Sequence, residues 1–477
     1  MTSSTSDHRK RAWVGAGVAF GLLAVLTHGQ VFRAGNDASR WAQVEAIVDY
    51  GERSIDRSQF AWTIDRVTLD GHLYSNKPPV LSLAAAGTYG LVRWVTGGSL
   101  ADPVARQRLV YLVTLLLVGG SAAWLVGEMS RALERRPDVG AEEASLVLAA
   151  TACGTTLTSF ATTLNNHTVA AALLFAAWHA AWRGEGGRAG MWGGLAACVD
   201  IVPGAGMLPF LALSLRGRHR GTIRRFAVSV AACAALGVLA DFLIVGHPWP
   251  PKLVPGAVDA SAEVAPSVAG VVLPQGWTYP LEALFGWRGF FSLSPVLLFG
   301  AAGLGLVAWG RRESPGSRAV PRPEAIDARW LACGIAVQIV FHVLFAGSFG
   351  GWSYGFRYLI PIAPLLLYFA PAVMRGAGRT GFVAALAPSV LVALLGAYNP
   401  WPPVFEQESS RHEVAARVTN PVAANAAAFL TQYFPGSPLA ERAASSWVSE
   451  DRAERQRWLA YFYWSKGDLE TLRRIER

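Results

Sequence analysis

Long apolar runs alternate with short clusters of arginine along most of this chain, and that alternation sets its class. Apolar runs cover residues 12–32, 105–129, 144–160, 168–182, 226–246, 295–309, 328–347, 359–374 and 382–398. A helix of about 20 such residues crosses a hydrocarbon core of roughly 30 Å. The first run follows Asp7, His8, Arg9, Lys10 and Arg11 and has no clear small-residue cleavage site after it. It therefore reads as a retained first helix with its basic end in the cytoplasm, not as a removed signal peptide.

If every apolar run crosses, the arginine clusters fall alternately on the wrong side of the membrane. Laying 80–95 along the outer interface returns Arg131, Arg135 and Arg136 to the cytoplasm. The stretch 191–215 is too short for two full spans yet has arginines at both ends, which predicts a hairpin of two short helices broken at Asp200, Pro203 and Gly204. Irregular backbone at membrane depth is tolerated when it is buried in protein. The expected fold is an all-α polytopic membrane bundle of about eleven transmembrane helices. Residues 1–399 form the membrane domain, with outer loops at 33–98 and 247–294. Residues 400–477 form a small helical tail on the same outer side, with amphipathic stretches at 439–447 and 453–463.

Composition supports this class. Hydrophobic residues make up 52% of the 477 residues and charged residues 16%, against roughly 25% charged in a soluble domain. The formal net charge of +9 lies in clusters between apolar runs, a topology signal that implies no nucleic-acid partner. Cys153, Cys198, Cys233 and Cys333 all sit in apolar runs without ligand spacing, so neither a disulfide nor a metal site is expected.

Candidate chemistry gathers on the outward loops. The first holds Gly35-Asn36-Asp37-Ala38-Ser39-Arg40-Trp41, then Asp65, then Asp70-Gly71-His72-Leu73-Tyr74-Ser75-Asn76-Lys77-Pro78-Pro79. Asn36 or Asp37 is placed to cap the following helix, a role that coexists with chemistry if the cap holds the carboxylate in place. Further along come Asn165-Asn166-His167, Gly286-Trp287-Arg288-Gly289-Phe290-Phe291-Ser292 and Gly350-Gly351-Trp352-Ser353-Tyr354-Gly355-Phe356-Arg357-Tyr358.

In this order, over roughly residues 12–398, these segments resemble the protein O-mannosyltransferase and aminoarabinose-transferase superfamily of GT-C fold, whose members use polyprenyl-phosphate sugars. The resemblance implies transfer of a hexose or pentose from such a lipid to an acceptor hydroxyl on the outer face of a bacterial cytoplasmic membrane, with inversion and without a cofactor. The acceptor is a glycan, lipid or protein. Asp37 is then the base that takes the acceptor proton. Arg357, Lys77 and Arg288 are candidates for the donor phosphate, although Lys and Arg near span ends also serve as interface anchors. Tyr74, His167, Trp352, Tyr354 and Tyr358 are candidate donor or acceptor contacts, with an aromatic belt or a helix cap as the plainer reading. Some relatives carry a second acidic residue where Asn165 and Asn166 stand, which weakens a two-carboxylate or metal-dependent mechanism here. Asp200 and Asp241 are ionisable groups in apolar segments and so are functional suspects, Asp200 also as a cap and Asp241 also as a partner of a neighbouring helix. His342 reads as a core histidine. A transporter or flippase of lipid-linked sugars is the competing class, but no inverted repeat is seen.

Overall fold

A computed structural model describes residues 3–216, 218, 220–260, 278–310, 322–346, 349–403 and 420–475. Part of the second long loop, 261–277, lies outside them. The chain begins with α1 (Ser3–Leu26), which ends well before the apolar run does. The first long loop then forms α2 (Gly35–Glu45), a π turn (Ala46–Tyr50), a hairpin of β1 (Arg66–Leu69) and β2 (His72–Ser75), and α3 (Pro79–Thr96). Asp70 and Gly71 turn the hairpin with φ of 53° and 82°, and two positive φ values in a two-residue connection match the twist of the paired strands.

Two further features hold this loop. Glu45, fully buried, accepts hydrogen bonds from Ser58 Oγ at 2.6 Å and from the Gln59 amide at 3.0 Å. The Asp49 carboxylate accepts from the Tyr89 hydroxyl at 2.7 Å and pairs with Arg93, fastening α3 to the π turn. Helix α3 buries Leu81, Ala85 and Tyr89 and leaves Leu91, Trp94 and Val95 exposed, the one-sided pattern expected of a helix lying against a surface.

The bundle continues with α4 (Pro103–Thr114) and α5 (Gly120–Leu133), joined by a π turn at Leu115–Gly119. Next come α6 (Ala141–Cys153), α7 (Thr156–Phe160), α8 (Asn166–Trp182), α9 (Gly186–Val199), α10 (Ile201–Ser214) and α11 (Arg220–Val245). In the second long loop, β3 (Val258–Asp259) pairs antiparallel with β1, giving a sheet of order β2-β1-β3. Then follow α12 (Thr278–Phe285), α13 (Leu297–Trp309), α14 (Arg322–Phe345), α15 (Ala363–Leu367) and α16 (Ala377–Tyr398). Among the described residues, four helices are long and apolar enough to cross a membrane: Pro103–Leu133, Arg220–Val245, Asp327–Phe345 and Ala377–Tyr398. The chain is a membrane protein by that measure. The expected count of about eleven spans relies on shorter helices as well.

The fold is helical as expected, with short strands tying the two long loops together among the described residues. Two expectations change. The run 144–160 is not one helix but breaks at Gly154 between α6 and α7. Residues 359–374 are not one helix either: short 3-10 turns at Arg357–Ile362 and Ala370–Val373 flank the five residues of α15. Pro361, Pro364 and Pro371 remove amide donors. The segment is buried almost throughout. Gly300 and Gly303 of α13 lie against the Leu366 and Phe369 carbonyls, where any Cβ would overlap them.

The expected hairpin forms, with α9 and α10 meeting at Asp200, but Pro203 and Gly204 lie within the first turn of α10 and do not break it; Pro is tolerated there because first-turn amides have no intrahelical partner. Gly186, Gly190 and Gly194, spaced one turn apart, bring α9 against Thr222, Phe226 and Cys233 of α11 with no room for a Cβ, the small-residue packing common between membrane helices. The tail forms α17 (Pro421–Tyr433), α18 (Pro438–Trp447), α19 (Arg452–Lys466) and α20 (Leu469–Ile475), including both amphipathic stretches. Its core is Ala424, Ala428, Trp458, Leu459, Phe462 and Tyr463. Asn425 Nδ2 donates to the Leu395 and Asn399 carbonyls at 2.7 and 2.9 Å, and the Arg33 amide donates to the Ser465 carbonyl at 2.8 Å, so the tail is docked on the bundle.

Candidate active site

Asp37 sits in the first turn of α2, but it is not the cap of that helix. Ala34 takes the N-cap position with extended backbone, and Asp37 Oδ2 reaches backward to accept from the Phe32 amide at 2.9 Å. Asp37 Oδ1 is buried with no hydrogen-bond partner among the described residues. Burial pushes the carboxyl up to about 7, against the lowering effect of the Phe32 and Leu164 amides and the Arg40 charge. A carboxyl with its pKa near neutrality is suited to general-base work.

One helical turn on, Arg40 is fully buried. None of its three guanidinium nitrogens has a partner among the described residues. Burial lowers it to about 10; the charges of Asp200, Asp65 and Asp37 support it and that of Arg357 opposes it. A buried cation with open donors is costly unless something occupies them. The sequence reading missed this residue, since one arginine close after a membrane helix looks like an anchor.

Arg357 faces the same region. It is 7% exposed, its Nε and Nη1 lack partners among the described residues, and its guanidinium lies 5.4 Å over the Tyr358 ring and 5.1 Å over Trp401. Gly350 has a φ of 98°, and a Cβ there would meet Arg357 Nε at 2.5 Å. That glycine is therefore required both by conformation and by space.

The other charges are already matched. Lys77 Nζ pairs with Asp65 Oδ2 at 2.7 Å. Burial would raise Asp65, but the Lys77 charge and hydrogen bond, with Arg357 and Lys252, bring it down to about 2; burial lowers Lys77 to about 8. Lys252 pairs with Asp259 at 2.8 Å, and Asn76 Nδ2 donates to Asp259 at 3.2 Å, so the second loop is held at the edge of the site. His167 Nδ1 meets Asp200 Oδ2 at 2.6 Å. Asp200 makes no side-chain cap on α10, and the cap reading gives way to this pair. With the lysines accounted for, Arg40 and Arg357 keep open donors among the described residues, and Arg40 is supported by the charges of Asp200, Asp65 and Asp37 without a hydrogen bond to any of them. Forked donors left open in this way fit the oxygens of an oxyanion.

Not every sequence candidate joins this cluster. Tyr354 is fully buried with its hydroxyl on the Val392 carbonyl at 2.8 Å; it anchors α16 and does not reach the site, because the tight loop before Arg357 turns it inward. Tyr74 packs with Leu69, Ile244, Val245 and Val254, a hairpin-to-α11 contact. Arg288 donates to the Gly351 carbonyl at 3.4 Å and lies 5.5 Å from the Phe349 ring, while its own carbonyl accepts from the Phe356 amide at 2.8 Å. It braces the loop that presents Arg357. Trp352 meets Tyr461 of the tail at 5.7 Å. Tyr358 lies edge-on to His167 at 6.0 Å and stacks on His342 at 5.5 Å. His342 is a satisfied core histidine, with Nδ1 on the Gln338 carbonyl at 2.8 Å. Asp241 Oδ1 has no partner among the described residues, so the expected interhelical pairing is absent there. Asp49, Asp56 and Asp65 all hold the first loop through hydrogen bonds, and Asp70 turns its hairpin. Among the described residues, no three His, Cys, Asp or Glu side chains are grouped to hold a metal ion.

A search of curated proteins found no match. A family match does exist. It includes His167, Asp200 and Arg288, starting after Asp37, Arg40 and Lys77 and ending before Arg357. Residues 94–322, just under half of the chain, match the family model described as glycosyltransferase family 87, and the activity this indicates is that of a membrane glycosyltransferase.

Proposed function

We propose that this protein transfers a hexose or pentose from a polyprenyl-phosphate donor to an acceptor hydroxyl at the outer face of the membrane, within a GT-C type bundle. The observation that carries this reading is the pair of buried guanidiniums, Arg40 and Arg357, with open donors beside Asp37. A phosphate monoanion or dianion is the ligand chemistry that planar, forked donors fit best.

In the reaction, the acceptor oxygen forms the new bond to the anomeric carbon as its proton passes to Asp37. The bond from that carbon to the phosphate oxygen breaks, and its electron pair leaves with the lipid phosphate. Arg40 and Arg357 stabilise the charge that grows on the departing group. A single displacement inverts the anomeric centre. His167, held by Asp200, offers its second ring nitrogen to a sugar hydroxyl. Lys77 acts mainly by holding Asp65, and Arg288 by holding the Arg357 loop.

The test is transfer by purified protein from a panel of radiolabelled polyprenyl-phosphate sugars, with a membrane-glycan extract as acceptor, for wild type and Asp37→Asn. Loss of transfer in the variant with donor binding kept supports the reading. Equal transfer by the two proteins removes Asp37 as base. If no donor is consumed while labelled lipid crosses reconstituted bilayers, a flippase takes the place of the enzyme.

A further inference from the structure

The tail does more than dock. Arg33, four residues before Asp37, lies between two indoles, its guanidinium 4.5 Å over Trp464 of α19 and 5.5 Å over Trp62 of the first loop. Trp464 stacks on Tyr461 at 5.4 Å with planes 20° apart, and Tyr461 meets Trp352 edge to face at 5.7 Å. The result is one continuous row, Trp62, Arg33, Trp464, Tyr461 and Trp352, drawn from the first loop, the tail and the Arg357 loop. Its ends belong to the segments that present Asp37 and Arg357.

Three properties set this row apart from ordinary packing. None of its members is fully buried, and Trp62 is 43% exposed. The Arg33 guanidinium is held by stacking alone: no side-chain hydrogen bond or ion pair engages it among the described residues, and its nitrogens are not among the enclosed ones. Two rings restrict the guanidinium, and its N–H groups remain available to a ligand at reduced entropic cost. The Arg33 backbone is also fixed, through the Ser465 carbonyl.

Exposed indole surface beside a rigid fork of donors has the chemistry of a saccharide subsite. Apolar C–H faces of a sugar ring cover aromatic surface, and vicinal hydroxyls accept from guanidinium N–H groups. We infer that this row, built jointly by Arg33, Trp62, Trp352 and the tail residues Tyr461 and Trp464, binds the sugar chain of a glycan acceptor next to the reacting hydroxyl. The inference rests on the glycosyltransferase reading and names its acceptor class as a glycan of several units. The tail is accordingly part of the acceptor site.

The experiment is a titration of the full-length protein in phosphatidylcholine nanodiscs with mannotriose and arabinotriose, followed by tryptophan fluorescence and calorimetry. Saturable binding of at least one trisaccharide is expected, weakened at least tenfold in Arg33→Ala and in Trp464→Ala, and kept within about threefold in Trp464→Phe, which preserves a ring to stack on. Binding that is unchanged in Arg33→Ala, or absent for both trisaccharides in the wild type, overturns the inference. So does loss of trisaccharide binding in phosphatidylglycerol nanodiscs, which would make the row an anionic-headgroup site. A parallel titration with undecaprenyl phosphate reports on the donor site. Failure there with trisaccharide binding intact refutes the proposed donor and leaves the row standing, and the reverse outcome refutes the row alone.

Discussion

Replacing Arg40 by glutamine separates a ligand-binding arginine from a structural one, because the two roles predict opposite changes in stability. Arg40 is fully buried and none of its three guanidinium nitrogens has a protein partner among the described residues, so in the empty protein it is a net cost. Arg40→Gln should leave the unliganded protein as stable or raise its unfolding temperature by about 2 °C or more. With donor bound, the same change removes two or more charge-assisted hydrogen bonds at about 1.5–3 kcal/mol each. That totals about 3–6 kcal/mol, a loss of roughly 10²–10⁴-fold in kcat/KM. The assays are thermal unfolding in detergent with and without undecaprenyl phosphate, and sugar transfer. Undecaprenyl phosphate should stabilise the wild type and not the variant, and Arg40→Lys should recover part of the activity by keeping charge without the fork. A destabilised Arg40→Gln protein that still transfers within about threefold of wild type would refute the reasoning and make Arg40 a structural residue.

Three further outcomes follow from the same geometry. Asp37 must be ionised to accept a proton, and burial raises it to about 7. The kcat/KM profile should therefore fall tenfold per unit as pH drops below about 7 and level off above it, and an acid limb near 4 would place the base elsewhere. In Arg40→Gln that limb should move upward, since the Arg40 charge lowers Asp37. Asp200→Asn removes the carboxylate that holds His167 Nδ1 at 2.6 Å and should cost roughly 10–150-fold in kcat/KM with undecaprenyl-phosphate affinity kept or raised, since a negative charge near Arg40 is removed; an equal loss of that affinity would mean collapse of the site. Lys77→Met leaves the Asp65 carboxylate, whose side chain is only 16% exposed, unpaired, at a cost of about 1–3 kcal/mol, visible as lowered resistance to thermal unfolding. The double variant with Asp65→Asn should recover most of that loss, and failure to do so would show that the pair is not what Lys77 contributes.

The sequence made some of this readable for physical reasons. Arginines at both ends of 191–215 demanded a hairpin, and it breaks at Asp200. Asp37 and Arg357 stood out because charged residues among glycines and aromatics at span ends are conspicuous. The strands did not stand out, since four residues in a polar loop carry too little alternation to separate from coil. The break in 359–374 was written in Pro361, Pro364 and Pro371, but continuous apolar composition outweighed them. Arg40 was hidden by its ordinary position, because its significance lies in what it fails to touch. Tyr354 misled for the converse reason: a motif shows which residues gather, not the direction each side chain takes.

The broken segment Arg357–Val373 has a consequence for biogenesis. A helix satisfies its own amides and can pass into lipid alone, whereas these short 3-10 turns, interrupted by prolines, leave backbone groups that only neighbouring protein can cover. Gly300 and Gly303 provide the closely fitting wall for that purpose. Because α13 precedes the segment in the chain, this wall is already made when the segment emerges, and Arg357 comes to rest only after most of the bundle has been synthesised. The proposed anion site is in this way completed late, and a chain in which the α13 wall is disrupted has no cover for the broken segment.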